Sequence, residues 1–419
     1  MAAVDTEGLY SLSPTAVWRK FKREHICFWL ICGYLLFEYV RPQTIYPWLD
    51  FFPWTATFAV GAFLTSFLEK NRTAVPNPLS KLLIVYGSVV LLSAIFAYDT
   101  TLAFSRLDLY FIWVFVYFAI IRTVRTKSRF FCFLLLYLLC NTKMVQHGFR
   151  SWAASGFGFD RDGVGGAPGW FQNSGEFGIQ LCVFIPLMVA FIFAVRSCCH
   201  KLVCAALYLV TLAAAACIVA SSSRGALLGL AAIAVWSLFR KKHVVRNFLV
   251  IGALAALCYW TIPEELLGKF ETSGADRTSV HRLDRWKKGW EVMREYPVLG
   301  IGHGNWEKYY ASNLTEGEPG SLLIHNMFLE SGTQHGFVGM GVLISVLICT
   351  FYVNKRTREL AKKQSDSFSA VISRGLDAGT IGLVVSASFV TVLYYPYVWI
   401  QVAFVAALHA AVSSFKRGT

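Results

Sequence analysis

Residues 174–195 read SGEFGIQLCVFIPLMVAFIFAV, and after a polar RSCCH the chain continues at 201–219 with KLVCAALYLVTLAAAACIV. Each run has about 20 apolar residues, the length a helix needs to cross roughly 30 Å of hydrocarbon. Working outward, the same pattern recurs along the chain. Spans are expected at 24–40, 51–68, 81–98, 104–121, 128–146, 174–195, 201–219, 225–239, 246–262, 324–352, 375–395 and 397–413. The expected fold is an all-α polytopic membrane protein of about 12 transmembrane helices, a single integral membrane domain over 1–419. Composition agrees: 56% of residues are hydrophobic and 15% charged, where a soluble domain carries about 25% charge.

The formal charge of +14 is a topology signal rather than a nucleic-acid footprint, because the basic residues cluster between apolar runs. Arg19–Arg23, Lys70–Lys81, Arg122–Arg129, Arg196 with Lys201, Arg240–Arg246, Lys355–Arg374 and Lys416–Arg417 fall in alternate connections and hold most of the 39 Lys+Arg. By the positive-inside rule these connections and both termini are cytoplasmic. Met1 to Pro14 lacks a cleavable signal pattern, so the first span is expected to stay as an anchor. The 11 cysteines lie mostly inside apolar runs and form no disulfide or zinc spacing.

Two long connections fall on the outer side, at 147–173 and 263–323. The first is rich in glycine, which permits sharp turns and close backbone approach. It also holds Asp160-Arg161-Asp162, a DxD tripeptide in which Arg161 would repel a cation. The second contains an amphipathic helix from Ser279 to Glu295, with Leu283, Trp286, Trp290 and Met293 as its apolar stripe and Pro297 as its stop.

Three groups of residues could carry chemistry. Ser221-Ser222-Ser223-Arg224-Gly225 forms a short outer turn. Arginine at membrane depth costs at least about 2.5–3.5 kcal/mol and calls for a partner or a task. Its planar fork suits phosphate; the alternative is a snorkelling arginine with Ser223 as helix cap. Arg282 and Arg285 stand one turn apart on the loop helix and suit a lipid phosphate or, equally, lipid headgroups and Asp284. His325-Asn326-Met327-Phe328-Leu329-Glu330 opens a span, and neutral imidazole suits general-base work near pH 7. Glu330, five residues on, does not share a helical face with His325. His281, His303, His325 and His335 form no zinc spacing, and Gly300-Ile301-Gly302-His303-Gly304 is only superficially a phosphate loop.

The order of these segments resembles the bacterial O-antigen ligase/polymerase family. It runs Ser-x-Ser-Arg-Gly at Ser221–Gly225, Arg-x-x-x-Trp at Arg282–Trp286, Pro-x-x-Gly-x-Gly at Pro297–Gly302, and His-Asn-x-x-Leu-Glu at His325–Glu330 with Gly336 and Gly339. Arg161, Gly163 and Asn173 match the family's Arg…Gly…Asn stretch, although Gln172 stands where relatives often carry an acid. The resemblance implies a GT-C-like, metal-independent and inverting glycosyltransferase that needs no cofactor. Its donor would be a glycan on undecaprenyl diphosphate, and its acceptor the lipid A-core, at the periplasmic face of the cell inner membrane. His325 would be the general base, and Arg224, Arg282, Arg161 and Arg285 would hold the diphosphate. Ser223, Asn173, Asn326 and Glu330 would support them. An O-antigen polymerase remains the alternative. A protein O-oligosaccharyltransferase is disfavoured because the chain stops shortly after the last span. A lipid or anion transporter, from another class, would carry its charges nearer the midplane of several spans.

Overall fold

The computed structural model describes residues 8–69, 75–159, 163–238, 277–313 and 323–414. Those residues form helices and connections only. In chain order they are α1 (Pro14–Phe21), α2 (Ile26–Tyr39), α3 (Pro42–Ile45), α4 (Trp54–Thr65), α5 (Pro78–Ile95), α6 (Thr100–Ser105), α7 (Asp108–Thr123) and α8 (Lys127–Ala154). There follow α9 (Ser174–Val195), α10 (Lys201–Ala220), α11 (Arg224–Leu238), α12 (Arg277–Glu295), α13 (Trp306–Ser312), α14 (Met327–Lys363), α15 (Ser367–Ala387) and α16 (Pro396–Ser414).

Among the described residues, 8 helices are long and apolar enough to cross a membrane: α5, α8, α9, α10, α14, α15, α16, and α6 and α7 taken together. The expected spans at 24–40, 51–68 and 225–239 coincide with the shorter apolar helices α2, α4 and α11. The span expected at 246–262 lies outside the described residues.

The bundle is held by close backbone approach. A Cβ at Gly375 would stand 2.5 Å from Ala190 Cβ, and one at Gly382 would stand 3.0 Å from Cys182 O and 2.5 Å from Ile233 Cδ1. This stripe on α15 lets α9 and α11 approach it closely, the small-residue packing on which membrane helices rely. α16 is buried along most of its length, from Pro396 to Val412, as expected of a helix apolar on all sides.

Two buried charge clusters in this frame are paired. Arg358 Nη1 donates to Asp377 Oδ2 at 2.7 Å, and Asn354 Nδ2 to Oδ1 at 2.8 Å. Arg129 binds Glu24 at 2.6 Å and Glu69 at 2.7 Å.

The structure departs from expectation in three notable respects. The helix expected at 128–146 runs on to Ala154, so the long 147–173 connection begins as helix. The span expected at 375–395 ends at Ala387, and 388–395 is irregular, with Val392, Leu393 and Tyr394 buried. Hydropathy reads Phe389–Tyr395 as membrane helix, but the residue before Pro396 is disfavoured in the α conformation.

The third difference is the inward face of α12. Leu283 and Trp290 are exposed, at 52% and 45%, whereas Arg285, Val292 and Met293 are buried. Gly289 sets that rotation: a Cβ there would stand 2.9 Å from Ile324 Cδ1, so the helix can approach closely on this side and not on the Leu283–Trp290 side.

Candidate functional site

The irregular segment 388–395 is the centre around which the distant motifs gather. Thr391 Oγ1 accepts from the His325 amide at 2.8 Å. Glu330 Oε2 accepts from the Leu393 amide at 3.1 Å. Tyr395 donates to Glu176 Oε1 at 2.8 Å, and Tyr394 to Gln334 Oε1 at 2.8 Å. Phe389 lies 6.1 Å from the Trp286 ring, and its Cβ is 3.0 Å from where a Cβ on Gly225 would stand. The Ser221–Gly225 turn, the start of α12 and the His325 loop therefore share one set of neighbours. Irregular backbone deep in a helical membrane protein is tolerated where it is buried in protein and its polar groups are satisfied.

His325 stands outside the helix that follows it, at φ 52°, a left-handed conformation that histidine visits more readily than most side chains. Three contacts impose it: the Thr391 bond, Arg285 Nη1 to Leu323 O at 2.8 Å, and Trp286 Nε1 to Ile324 O at 3.0 Å. Asn326 then caps α14, its Oδ1 accepting from Phe328 N at 2.9 Å and Leu329 N at 3.1 Å. The His-Asn pair is thus a base candidate followed by a helix cap. Burial, together with the nearby Arg282 and Arg285 guanidinium groups, lowers the His325 pKa to about 4, so the ring is neutral at physiological pH. Burial also lowers the Arg285 pKa from its ordinary value.

Ser223 accepts weakly from Ala226 N at 3.4 Å, which supports its reading as a helix cap. Arg224 is the first residue of α11 and half-buried. The glycine-rich loop joins at the same end. Val164 N donates to Ala220 O at 3.0 Å, and Gly163, at φ 68°, lies so close that a Cβ would meet Ser221 O at 1.9 Å. Asn173 precedes α9, is exposed, and makes no side-chain cap bond. Asp160, Arg161 and Asp162 lie outside the described residues.

Glu330 is buried at 4% exposure and turned to Leu393, which agrees with its separation from His325 on the helix. The Gly300–Gly304 loop is no phosphate cradle, because its amides are spent on protein. Ile301 N donates to Thr333 O at 2.9 Å, Gly302 N to Gln334 O at 3.1 Å, and Gly304 N to Gln334 Oε1 at 2.8 Å. Those carbonyls are free because α14 kinks at Gly336, with φ 67° and ψ −174°.

Sequence spacing missed a buried polar chain. His303 Nδ1 lies 3.2 Å from His335 Nε2, and His303 Nε2 lies 2.8 Å from the Arg106 carbonyl. That carbonyl accepts only, so Nε2 carries the proton and His335 Nε2–H donates to His303 Nδ1. Tyr86 O–H then donates to His335 Nδ1 at 3.3 Å and accepts from Ser331 at 2.8 Å. Burial lowers the His303 pKa to about 4, consistent with a neutral ring. The two histidines are 32 residues apart in sequence, beyond any local motif.

Among the described residues one trio could hold a metal ion: His25, Cys27 and Glu69, whose ligand atoms lie within 4.8 Å of one another. It lies at the opposite end of the bundle, and Arg129 already neutralises Glu69. All ten described cysteines are free thiols.

Residues 209–344 match the O-antigen ligase family model. The matched stretch takes in the Ser221–Gly225 turn, α12, the glycine loop, His325 and the Gly336 kink. The chain is also similar to the exopolysaccharide production protein ExoQ of Rhizobium meliloti (strain 1021). The two are 26% identical over 162 residues, which is 35% of this chain and 35% of that relative. Both similarities are to proteins of the O-antigen ligase superfamily, and each covers only part of this chain, which spans about a third of the length of that relative.

Proposed function

We propose that the protein transfers a glycan from undecaprenyl diphosphate to the lipid A-core, at the periplasmic face of the cell inner membrane, with inversion and without a metal. The observation that carries this reading is the neutral His325, held off its helix beside the Arg282 and Arg285 guanidinium groups. In the proposed step an acceptor hydroxyl oxygen attacks the anomeric carbon and its proton passes to the free nitrogen of His325. The bond from that carbon to the diphosphate oxygen breaks, and undecaprenyl diphosphate leaves with one more negative charge. Arg224, Arg282 and Arg285 offset that charge, with Arg161 as a further ligand. Before the donor binds, the arginines weaken His325 as a base. A bound diphosphate cancels their repulsion, so the base strengthens when the donor arrives.

A second reading, an O-antigen-type polymerase, is favoured by the relative whose name assigns it to exopolysaccharide production. Donor handling and the base are the same in both readings, and only the acceptor differs.

The test is complementation of an O-antigen-ligase-null strain supplied with compatible donor, read as the long-chain ladder of lipopolysaccharide on a gel. Wild type restores the ladder, and His325→Ala at equal membrane level lowers transfer by about 10²–10⁴-fold. A ladder that persists in His325→Ala removes this residue from the mechanism. Polymer that lengthens without reaching the lipid A-core moves the assignment to the polymerase.

A further inference from the structure

Beside the His325 loop lies a cavity of about 210 Å³. At about 30 Å³ per water, it takes roughly seven waters or one sugar ring. Thr391, the residue that holds the His325 amide, is in its wall, as are Leu323 and Ile324. The cavity therefore abuts the candidate base.

Its polar groups are set for a ligand. Gln334 is 5% exposed and lines the cavity. Its Oε1 is held by two donors, Gly304 N at 2.8 Å and Tyr394 O–H at 2.8 Å. That fixes the orientation of the amide and leaves the two Nε2 hydrogens without a partner among the described residues. Glu307, also in the wall, makes no hydrogen bond or ion pair among the described residues. Among the described residues the Arg106 guanidinium hydrogen-bonds only to Gly304 O, at 3.3 Å. The half-buried Trp170, braced edge-on by Tyr395 at 5.1 Å and Trp113 at 5.9 Å, adds a flat apolar surface.

This combination excludes other occupants. The Glu307 carboxylate repels a diphosphate, Arg106 opposes a metal cation, and a lipid chain would leave the Gln334 amide unsatisfied. A pyranose suits all of them: its hydroxyls accept from Gln334 and Arg106 and donate to Glu307, and its C–H face covers an indole. We infer that this cavity binds one pyranose ring of a glycan, the acceptor in the proposed transfer. The inference rests on that reading for the ring's role, while the binding itself does not require transfer.

The test uses the full-length protein in detergent, with the delipidated core oligosaccharide of lipopolysaccharide as probe and saturation-transfer NMR as readout. Wild type transfers saturation to the sugar ring protons. Glu307→Gln, at a half-exposed position with no partner among the described residues, weakens binding about tenfold, the loss of one hydrogen bond to a charged group. Trp170→Ala weakens it comparably, and His325→Ala binds like wild type. In the transfer assay Glu307→Gln raises the acceptor KM about tenfold and leaves the donor KM unaltered. Absence of saturation transfer in wild type, or binding unaffected by both cavity variants, overturns the subsite even if the protein transfers glycan. Binding that depends on Glu307 in a protein that transfers nothing keeps the sugar site and removes the transferase reading.

Discussion

At the residue scale, His325 is a strained position held in place by its neighbours. A left-handed conformation costs a non-glycine residue about 1–3 kcal/mol, and the Thr391, Arg285 and Trp286 contacts offset it. Its chemistry follows from the same surroundings. Only the neutral ring accepts a proton, so activity is present above its pKa and lost as pH falls through it. In the donor-free protein that value is about 4. The acid limb of kcat/KM for the donor is therefore expected near 4, and the limb of kcat at higher pH, because the bound diphosphate offsets the arginines. Arg282→Gln is expected to move the kcat/KM limb upward, since it removes one cation facing His325. Profiles of wild type and variant over the same pH range check this; superimposable limbs would show that the arginines do not tune the base. Little of this was legible locally. Histidine at a span entrance could be singled out by type, but Thr391, its partner, is 66 residues away in sequence and sits in what reads as apolar helix.

At the element scale, the Pro-x-x-Gly-x-Gly motif and the glycines of α14 are two halves of one joint. The break at Gly336 releases carbonyls, and the Gly300–Gly304 loop supplies the amides that satisfy them. Phe337 N closes the joint on Pro297 O at 2.8 Å. A Cβ at Gly336 would meet Val298 O at 2.3 Å, at a φ of 67°. Gly336→Ala is therefore expected to cost about 2–3 kcal/mol, seen as a lower melting temperature in detergent, whereas Gly341→Ala, where nothing lies within 4 Å, leaves it unchanged. Equal melting of the two variants would refute the joint. The glycines were visible in the sequence as a motif. Their pairing was not, because backbone hydrogen bonds between a loop and a kinked helix leave no periodic trace. The same limit explains α12, where periodicity marks apolar positions but does not tell a surface turned outward from one packed inward.

At the scale of the whole molecule, one buried ion pair joins α14 to α15. Asp377, wholly buried, is held by Arg358 and Asn354. Removing it leaves an unpaired guanidinium inside, and Asp377→Ala is expected to destabilise by about 3–5 kcal/mol. Thermal unfolding in detergent checks this; a variant that melts with wild type would place the pair among those worth little. The partial loss expected of Asp377→Asn, which keeps a hydrogen-bond acceptor, separates the charge from the shape.

Sequence alone determined the class of this protein, most helix positions and the residue types in the candidate site. Those properties are carried by composition and local runs: about 20 apolar residues mark a span wherever they occur, and an arginine or histidine at its edge stands out against them. Tertiary structure alone decided which motifs meet. Segment 388–395 reads as membrane helix by hydropathy, yet it leaves the helix and spends its polar groups on His325, Glu330 and Gln334. The two-histidine chain and the cavity beside Gln334 arise the same way, from hydrogen bonds between residues far apart in the chain. Long-range bonds of this kind depend on how helices pack, and packing is a property of all the helices together.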